Sequence, residues 1–392
     1  MMKFIFDEAS VFVNDSHLKK YDTFSHAAIF GDCVINCSKY CIFPGFVDVH
    51  VHFREPGFSY KETIKTGSAA AAHGGYLAVC TMPNLNPVPD SLNNLNVQLE
   101  AIKQSAKINV LPFGSITKGQ KGQAISNLEE MAPFVCGFSD DGVGVNDTGI
   151  MLEAMQRAKA LGKIISAHCE DNTQIKDSPE AEWKQIERDI KLADRSGVKY
   201  HVCHISTKES VSLIRDAKAS GVNITCETAP HYLLFSEKDV KDDGKFRMNP
   251  PIRKETDKAA LLEGLCDGTV DMIATDHAPH SAEEKSKGLA SLNGIVGLET
   301  AFPALYTELV KNHVITLEKL LGLMSYAPQK RFGIELDGFT VYDLENEYTI
   351  DPSSFCSKGR STPFDGKKVF GKCIATVSNG NIAYLDEKIL TV

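Results

Sequence analysis

The hydrophobic pattern of the chain alternates between short apolar runs and longer segments with helical periodicity. The apolar runs that we predict to be strands occupy eight stretches: 43–53, 76–82, 108–114, 134–138, 163–167, 200–205, 223–227 and 272–275. Strands that alternate with helices indicate βα units and a parallel sheet. Eight such units predict an α/β fold of the TIM (β/α)8 barrel class, whose functional site lies at the carboxyl ends of the strands.

Two of the intervening helices have clear signals. Apolar residues recur at helical spacing from Asp147 to Leu161. The segment from Ser206 to Glu209 has the pattern of a capping box, and it predicts a helix that runs through Ala219.

The two ends of the chain differ from its middle because their alternating segments are shorter. Near the carboxyl end, Asn379 and Gly380 follow one such segment, and this pair is typical of a tight hairpin turn. We therefore expect a small β subdomain built from residues 1–43 and 335–392, and a barrel domain of residues 44–334.

Composition excludes several classes of partner. The chain has 392 residues, of which 43% are hydrophobic and 24% charged, as in ordinary globular proteins. A net charge of −9 argues against nucleic acid or an anionic membrane as the main partner. No apolar run is long enough to span a bilayer, and the amino terminus is a poor secretory signal. The eleven scattered cysteines favour free thiols in a reducing compartment, so we expect a cytoplasmic protein.

The first predicted strand ends in a pair of histidines, His50 and His52. Because side chains alternate along a strand, both imidazoles point to the same side, which on a barrel strand can be the interior. Two imidazoles there form half of a zinc-type site. A lone pair of this kind is weak evidence, since half-buried strands often carry one by chance.

Other predicted strands end in the same residue types. The fourth run leads into Asp140 and Asp141, the fifth ends at His168, the sixth at His204 and the eighth at Asp276. Each alone is more simply a satisfied loop residue, but together they converge on one barrel mouth. Imidazole and carboxylate ligands without a cysteine cluster suit Zn²⁺, with Mn²⁺ or Co²⁺ as substitutes. A bound metal of this kind lowers the pKa of water to about 7.

These motifs resemble the amidohydrolase superfamily and, within it, the dihydroorotases of the bacterial class I type. The resemblance runs from Pro44 to about Gly333 and rests on six segments: 48–57, 82–84, 140–143, 201–207, 248–253 and 274–280. It implies reversible hydrolysis of dihydroorotate to N-carbamoyl-L-aspartate in pyrimidine biosynthesis.

The resemblance also assigns roles to individual residues. It implies one or two zinc ions, one held by His50, His52 and Asp276 and the other by His168 and His204, with Asp141 between them. Asp276 would also be the catalytic proton carrier. The substrate would be bound by six further positions: Arg54, Asn84, Asn249, His280, Asn293 and Gly294. Without the motif, Arg54 could equally pair with a nearby glutamate, and Asn84 could be an ordinary turn residue.

Other readings of the sequence stay open. Hydantoinases and allantoinases share the histidine pair, but they generally place a carboxylated lysine where this chain has Asp141. The chain could instead be an amidohydrolase for another acidic ring or an acyl-amino acid, or a non-catalytic barrel that assembles with aspartate transcarbamoylase. We expect a homodimer with a small-molecule substrate, and we keep association with aspartate transcarbamoylase as an alternative.

Overall fold

The fold is seen in a computed structural model of the chain. It describes residues 39–386 and, before them, the backbone of five strands: Phe4–Asp7, Ser10–Val13, His17–Lys20, Ala28–Ile29 and Cys33–Asn36. The amino-terminal part of the predicted small subdomain is therefore described only through these strands.

Eight parallel strands of the described chain form one sheet in sequence order. Their bounds are Phe46–Val51, Tyr76–Thr81, Asn109–Gly114, Gly137–Phe138, Ile164–Ala167, Lys199–Val202, Ile224–Thr228 and Met272–Ile273. An isolated parallel bridge between Val51 and His277 closes the sheet, and the His52 amide donates to the His277 carbonyl at 2.8 Å. The predicted TIM barrel is confirmed.

Four of the predicted strands, 43–53, 134–138, 200–205 and 272–275, extend at least two residues beyond the observed ones, and the first two show why. The run 43–53 contains two strands, because Cys41–Pro44 belongs to a different sheet and only Phe46–Val51 to the barrel. Gly45 separates them, and a Cβ added there would lie 1.8 Å from a Leu77 methyl carbon. Both strands are buried, so the apolar pattern continues through the break. In the run 134–138 only Gly137–Phe138 is strand, preceded by the 3₁₀ turn Ala132–Phe134.

A register shift in the first barrel strand determines which way His50 and His52 point. Val47 and Val49 pack in a cluster with Ala78 and with side chains from strands around the barrel. The pairing with the second strand then shifts between Asp48 and Val51, and Val51 packs in the larger cluster between strands and helices. A bulge of this kind redirects the side chains that follow it. It places the histidines at the mouth.

Helices cover the outside of the barrel. The α-helices are Ile64–His73, Leu92–Ser105, Leu128–Met131, Thr148–Ala160, Pro179–Ser196, Lys208–Ala219, Pro230–Leu234, Glu255–Asp267, Ala301–Leu305, Leu317–Leu321 and Ala327–Phe332. Two π-helical turns, Tyr306–Val310 and Gly322–Tyr326, continue the ninth and tenth.

Of the two predicted helix starts, one is confirmed and the other is wrong. Asp147 caps the helix Thr148–Ala160 by accepting from the Ile150 amide, as its position suggests. The cap of Lys208–Ala219 is Thr207, which accepts from Ser210 N, so the predicted Ser206 box is wrong. The Ser206 hydroxyl instead donates to the buried carboxylate of Glu182. Because this long-range hydrogen bond to Glu182 uses the Ser206 hydroxyl, Thr207 and not Ser206 caps the helix.

Strands from both ends of the chain share a six-stranded sheet. Its order is Asn381–Leu385, Lys372–Ser378, Gly338–Asp343, Cys41–Pro44, Ser10–Val13 and His17–Lys20. Asn379 and Gly380 have φ of 50° and 71°, which suits the predicted tight hairpin. Smaller sheets pair Phe4–Asp7 with Ala28–Ile29 and Cys33–Asn36, and Tyr348–Thr349 with Lys368–Val369. The exact division at residues 43/44 and 334/335 stays a prediction.

Among the described residues, no helix is both long enough and apolar enough to cross a membrane.

Candidate active site

The six predicted metal ligands lie together at the carboxyl ends of the barrel strands. Each is buried, with at most 7% of its surface exposed. They follow or end the first, fourth, fifth, sixth and eighth strands, which is why residues distant in sequence meet there: His50, His52, Asp141, His168, His204 and Asp276.

The first set of predicted ligands is His50, His52 and Asp276, and its atoms lie close to Oδ1 of Asp276. This oxygen lies 3.1 Å from His52 Nε2 and 3.6 Å from His50 Nε2. Asp141 joins the set through Oδ1, 3.3 Å from His50 Nε2, and Oδ2, 3.5 Å from His52 Nε2. Ligands that share a tetrahedral zinc ion at about 2.0 Å are themselves roughly 3.3 Å apart. These separations therefore match a common ion.

The second set uses the other side of Asp141. His168 Nδ1 and His204 Nε2 lie 3.0 Å apart, and each faces Asp141 Oδ1, at 3.8 and 3.6 Å. The carboxylate of Asp141 is thus common to both sets. The geometry brings together the two groups that the sequence predicts.

Two buried atoms without hydrogen-bond partners in the described part of the chain also indicate that these six side chains could bind a cation. His50 Nε2 and Asp141 Oδ1 are buried and face each other, yet neither has a hydrogen-bond partner among the described residues. An unsatisfied buried polar atom costs about 1–3 kcal/mol, so such atoms mark a missing ligand. Nitrogen and oxygen donors without a thiolate suit zinc or a related divalent ion.

The two carboxylates of the ligand cluster are held in their ionised form. Burial opposes ionisation of Asp141, but the charge of His50 and the nearby His204 imidazole hold its pKa well below the usual range. The pKa of Asp276 is also lowered. Burial opposes its ionisation, but the hydrogen bond with His52 and the charges of His50 and His52 outweigh this effect. Two ionised carboxylates in a buried pocket favour a bound cation.

Three of the predicted site residues have strained backbones. Arg54, His204 and Asp276 have φ of 60°, 32° and 48°, in the left-handed region that non-glycine residues rarely adopt. Such conformations cost about 1–3 kcal/mol and persist where surrounding structure enforces them, often at functional sites.

Sequence reasoning missed a supporting carboxylate, Glu227. One of its oxygens lies 2.7 Å from His50 Nδ1, and the other 3.0 Å from His201 Nε2. Burial would raise the pKa of Glu227, but His50 and His201 lower it to about 2. An ionised partner on the far ring nitrogen fixes the orientation of a ligand histidine. Its signal was available, because an acidic residue ends the predicted seventh strand.

Glu170 is a second missed carboxylate. Its Oε2 lies 3.2 Å from His168 Nε2 and accepts from Asn249 Nδ2 at 3.1 Å. Glu170 therefore connects a predicted metal ligand to a predicted substrate residue.

The predicted substrate residues surround the ligand cluster. Arg54 donates to the Pro279 carbonyl, and its Nη2 lies 3.4 Å from His280 Nε2. Burial, followed by the charges of Arg54 and Lys61, lowers the pKa of His280 to about 4, so this ring is neutral at pH 7. His280 Nε2 lies 2.8 Å from the Asn293 carbonyl.

A small cavity joins the two groups of residues. It has a volume of about 130 Å³. Its walls include five of the six metal-ligand candidates, all but His50. They also include every predicted substrate residue except His280: Arg54, Asn84, Asn249, Asn293 and Gly294. Asn84 Oδ1 and Asn293 Oδ1 are buried without a partner among the described residues, so both can accept from a ligand.

A third group of metal-ligand residue types lies away from the mouth. It consists of His73, Glu299 and Cys356, which we call the junction cluster because Tyr384 of the six-stranded sheet stacks on the His73 ring. The junction cluster borders a cavity of about 430 Å³, larger than the one at the mouth.

Comparison with solved structures defines the class of protein. The chain superposes on L-hydantoinase (dihydropyrimidinase) from Arthrobacter aurescens with a TM-score of 0.85 and 25% identity, covering 97% of this chain and 96% of that one. Dihydropyrimidinase from Brevibacillus agri gives a TM-score of 0.84 at 21% identity, covering 98% and 96%. Together with the ligand cluster at the mouth, this fold is that of an amidohydrolase.

Sequence comparison is more specific. The dihydro-orotase-like family model matches residues 39–182. The dihydroorotase of Fusobacterium nucleatum is 45% identical over 410 residues, covering 98% of this chain and 96% of that protein. The dihydroorotase of Bacillus cereus is 47% identical over 387 residues, covering 91% and 90%. The chain belongs to the dihydroorotase family.

Proposed function

We propose that the protein is a metal-dependent dihydroorotase, which interconverts dihydroorotate and N-carbamoyl-L-aspartate in pyrimidine biosynthesis. The observation that carries the proposal is the shared cavity, in which Arg54 and the amides of Asn84 and Asn293 lie beside the ligand cluster. The position common to both ligand sets is an aspartate, Asp141, and no lysine replaces it.

Recognition follows from the side chains of the cavity. The substrate carries a carboxylate, and the Arg54 guanidinium supplies the matching charge and paired N–H donors. His280 is neutral, so it adds no second positive charge, and its Nε2 faces the Asn293 carbonyl at 2.8 Å, which fixes that segment beside Arg54. The unpartnered Oδ1 atoms of Asn84 and Asn293 can accept from N–H groups of a cyclic amide.

The metal-ligand roles stay as the sequence predicts. We propose that His50, His52 and Asp276 hold one zinc ion and that His168 and His204 hold a second, with Asp141 shared. Zinc bound there would polarise the scissile carbonyl and activate water. Support comes from the separations of the ligand atoms and from the unsatisfied buried atoms His50 Nε2 and Asp141 Oδ1.

Asp276 is the proton carrier in this proposal. Ring opening breaks the C–N bond and forms a C–O bond, while one proton moves from water to the departing amide nitrogen. Asp276 is ionised and lines the cavity, so it can accept the proton and return it to nitrogen. In ring closure the same carboxyl group runs the transfer backwards.

The decisive experiment is ultraviolet monitoring of dihydroorotate loss by zinc-replete protein, with hydantoin and allantoin as control substrates. We expect turnover of dihydroorotate alone, abolished by chelation and restored by Zn²⁺. Turnover of hydantoin without dihydroorotate, or full activity in a chelated sample, would contradict the proposal. The homodimer, the cytoplasmic location and association with aspartate transcarbamoylase stay predictions.

A further inference from the structure

A buried lysine lies beside the cavity and has no assigned role. Lys285 is only 8% exposed. Its ammonium donates to three backbone carbonyls, those of Arg247 at 3.0 Å, Leu292 at 2.8 Å and Gly294 at 2.7 Å. Within residues 39–386, no carboxylate forms an ion pair with it. All three of its charge-assisted hydrogen bonds therefore go to the backbone of the segments that supply these carbonyls.

The first of these segments carries two predicted substrate residues. Lys285 binds the carbonyls of Leu292 and Gly294, and the intervening carbonyl of Asn293 lies against His280 Nε2 at 2.8 Å. Three consecutive carbonyls are therefore fixed by two side chains. With its carbonyls pointing away to these donors, the segment holds its Asn293 side chain at the cavity wall.

The second segment enters the cavity from a different loop. The Arg247 carbonyl accepts from Lys285 and also from the Gly294 amide at 3.0 Å. Asn249, two residues further along, lines the cavity. Lys285 thus joins the two loops that supply Asn249 and Asn293.

The fit leaves little freedom for either loop. Gly294 has φ of 135°, and a Cβ added there would lie 2.4 Å from the Ala278 carbonyl oxygen. The neighbouring loop is equally close, because a Cβ on Gly244 would lie 2.2 Å from the Lys285 carbonyl oxygen. At both contacts the backbone approaches a carbonyl oxygen so closely that no side chain fits between them.

We propose that Lys285 is a positioning residue that clamps the two substrate-binding loops in their binding conformation. It does not touch the reacting atoms. The proposal rests on the proposed function, because it assumes that Asn249, Asn293 and Gly294 bind the substrate. Removal of the clamp should therefore weaken binding more than it slows the chemical step.

The test is Lys285→Met, which keeps the apolar stem and removes the donors. We expect KM for dihydroorotate to rise roughly tenfold or more with kcat changed by less than about threefold, the signature of lost ground-state binding. Hydrogen exchange at residues 292–294 should increase without substrate, since the fixed segment is released. The matched control is Lys287→Met, because Lys287 lies on the same loop but is exposed. It should leave KM and exchange unchanged.

Lys285→Arg provides a gentler change that keeps charge and donors. It should retain more substrate affinity than Lys285→Met, and it serves as the test if the methionine variant does not fold, with KM again expected to rise above the wild-type value. Wild-type exchange and wild-type KM in a folded Lys285 variant would overturn the clamp. Increased exchange in a protein that never turns over dihydroorotate would keep the clamp and reject the proposed function.

Discussion

The mouth of the barrel and the junction cluster contain the same kinds of side chain but differ in how these are satisfied. At the junction, Glu299 accepts from His73 Nδ1 at 2.6 Å, from the Cys356 amide at 2.7 Å and from the Ser357 amide at 3.3 Å. At the mouth, His50 Nε2 and Asp141 Oδ1 are buried, and neither has a hydrogen-bond partner in the part of the chain that the structure describes.

The difference shows that proximity of histidine, cysteine and carboxylate does not define a metal centre. Cavity size does not define it either, since the junction cavity has 430 Å³ and the mouth cavity 130 Å³. Unsatisfied ligand atoms and strained backbone at strand ends distinguish the mouth. We therefore interpret the junction cluster as a structural ion pair within the barrel domain, covered by Tyr384 of the six-stranded sheet.

The largest effect should come from Asp141→Ala, because both ligand sets lose their shared carboxylate. We expect loss of bound zinc and activity below detection, measured by elemental analysis and the dihydroorotate assay. The matched variant at the junction, Glu299→Ala, should keep the full metal content. Equal loss of metal in both variants would erase the distinction between the two clusters.

Asp276→Asn separates proton transfer from metal binding. The amide keeps a neutral oxygen ligand but cannot carry a proton, so the rate should fall about 10²- to 10⁴-fold in both directions. At least one metal ion should remain. A protein with intact metal and near-normal rates would show that another group moves the proton.

Arg54→Met tests the carboxylate receptor. The substrate carboxylate would be left without its cation in a buried site, which should cost about 3 kcal/mol of transition-state binding, or roughly 150-fold in kcat/KM. Metal content should stay the same. Normal turnover of dihydroorotate would place the receptor elsewhere.

The smallest effect should appear at the junction, in stability alone. Burial opposes protonation of His73, but hydrogen bonds to Cys356 and Glu299 and the Glu299 charge raise its pKa to about 9, against 6.5 in the unfolded chain. A raised pKa stabilises the folded state fully below pH 6.5, and this contribution disappears as the pH rises through 9.

His73→Gln should therefore lower the free energy of unfolding by about 2 kcal/mol at pH 6.5 and have almost no effect at pH 9.5, after allowance for solvent screening. Urea unfolding at the two pH values, with zinc held constant, measures the difference. A pH-independent loss would mean that packing on Tyr384, and not the ion pair, supplies the stability.

Much of the fold, and the meeting of the six ligand candidates at one barrel mouth, could be predicted from periodicity and from the position of polar residues at strand ends. The break at Gly45 did not, because both flanking strands are buried and the apolar pattern never lapses. Thr207 replaced Ser206 as a cap because Glu182, which lies on another helix, binds the Ser206 hydroxyl.

Other features could not be predicted, because they depend on contacts between residues that are far apart in the sequence. The Lys285 side chain reads as one more charged surface residue until its three carbonyl partners are seen. Left-handed φ at His204 and Asp276 is equally hard to predict, since it is uncommon for any residue other than glycine and no turn motif marks these positions. The proposed roles of the site residues stay predictions until variants are measured.

The seam of the barrel has a consequence for the order of folding. Its first and last strands meet at an isolated bridge, and the ligand candidates on its two sides, His52 and Asp276, are 224 residues apart in the chain. Closing a loop of that length costs about 5 kcal/mol of chain entropy, so long-range contacts of this kind form late. A nascent chain would expose the histidine pair long before Asp276 is synthesised. Capture of metal and completion of the barrel should then be one event, and the apoprotein should refold more slowly than the zinc-loaded form.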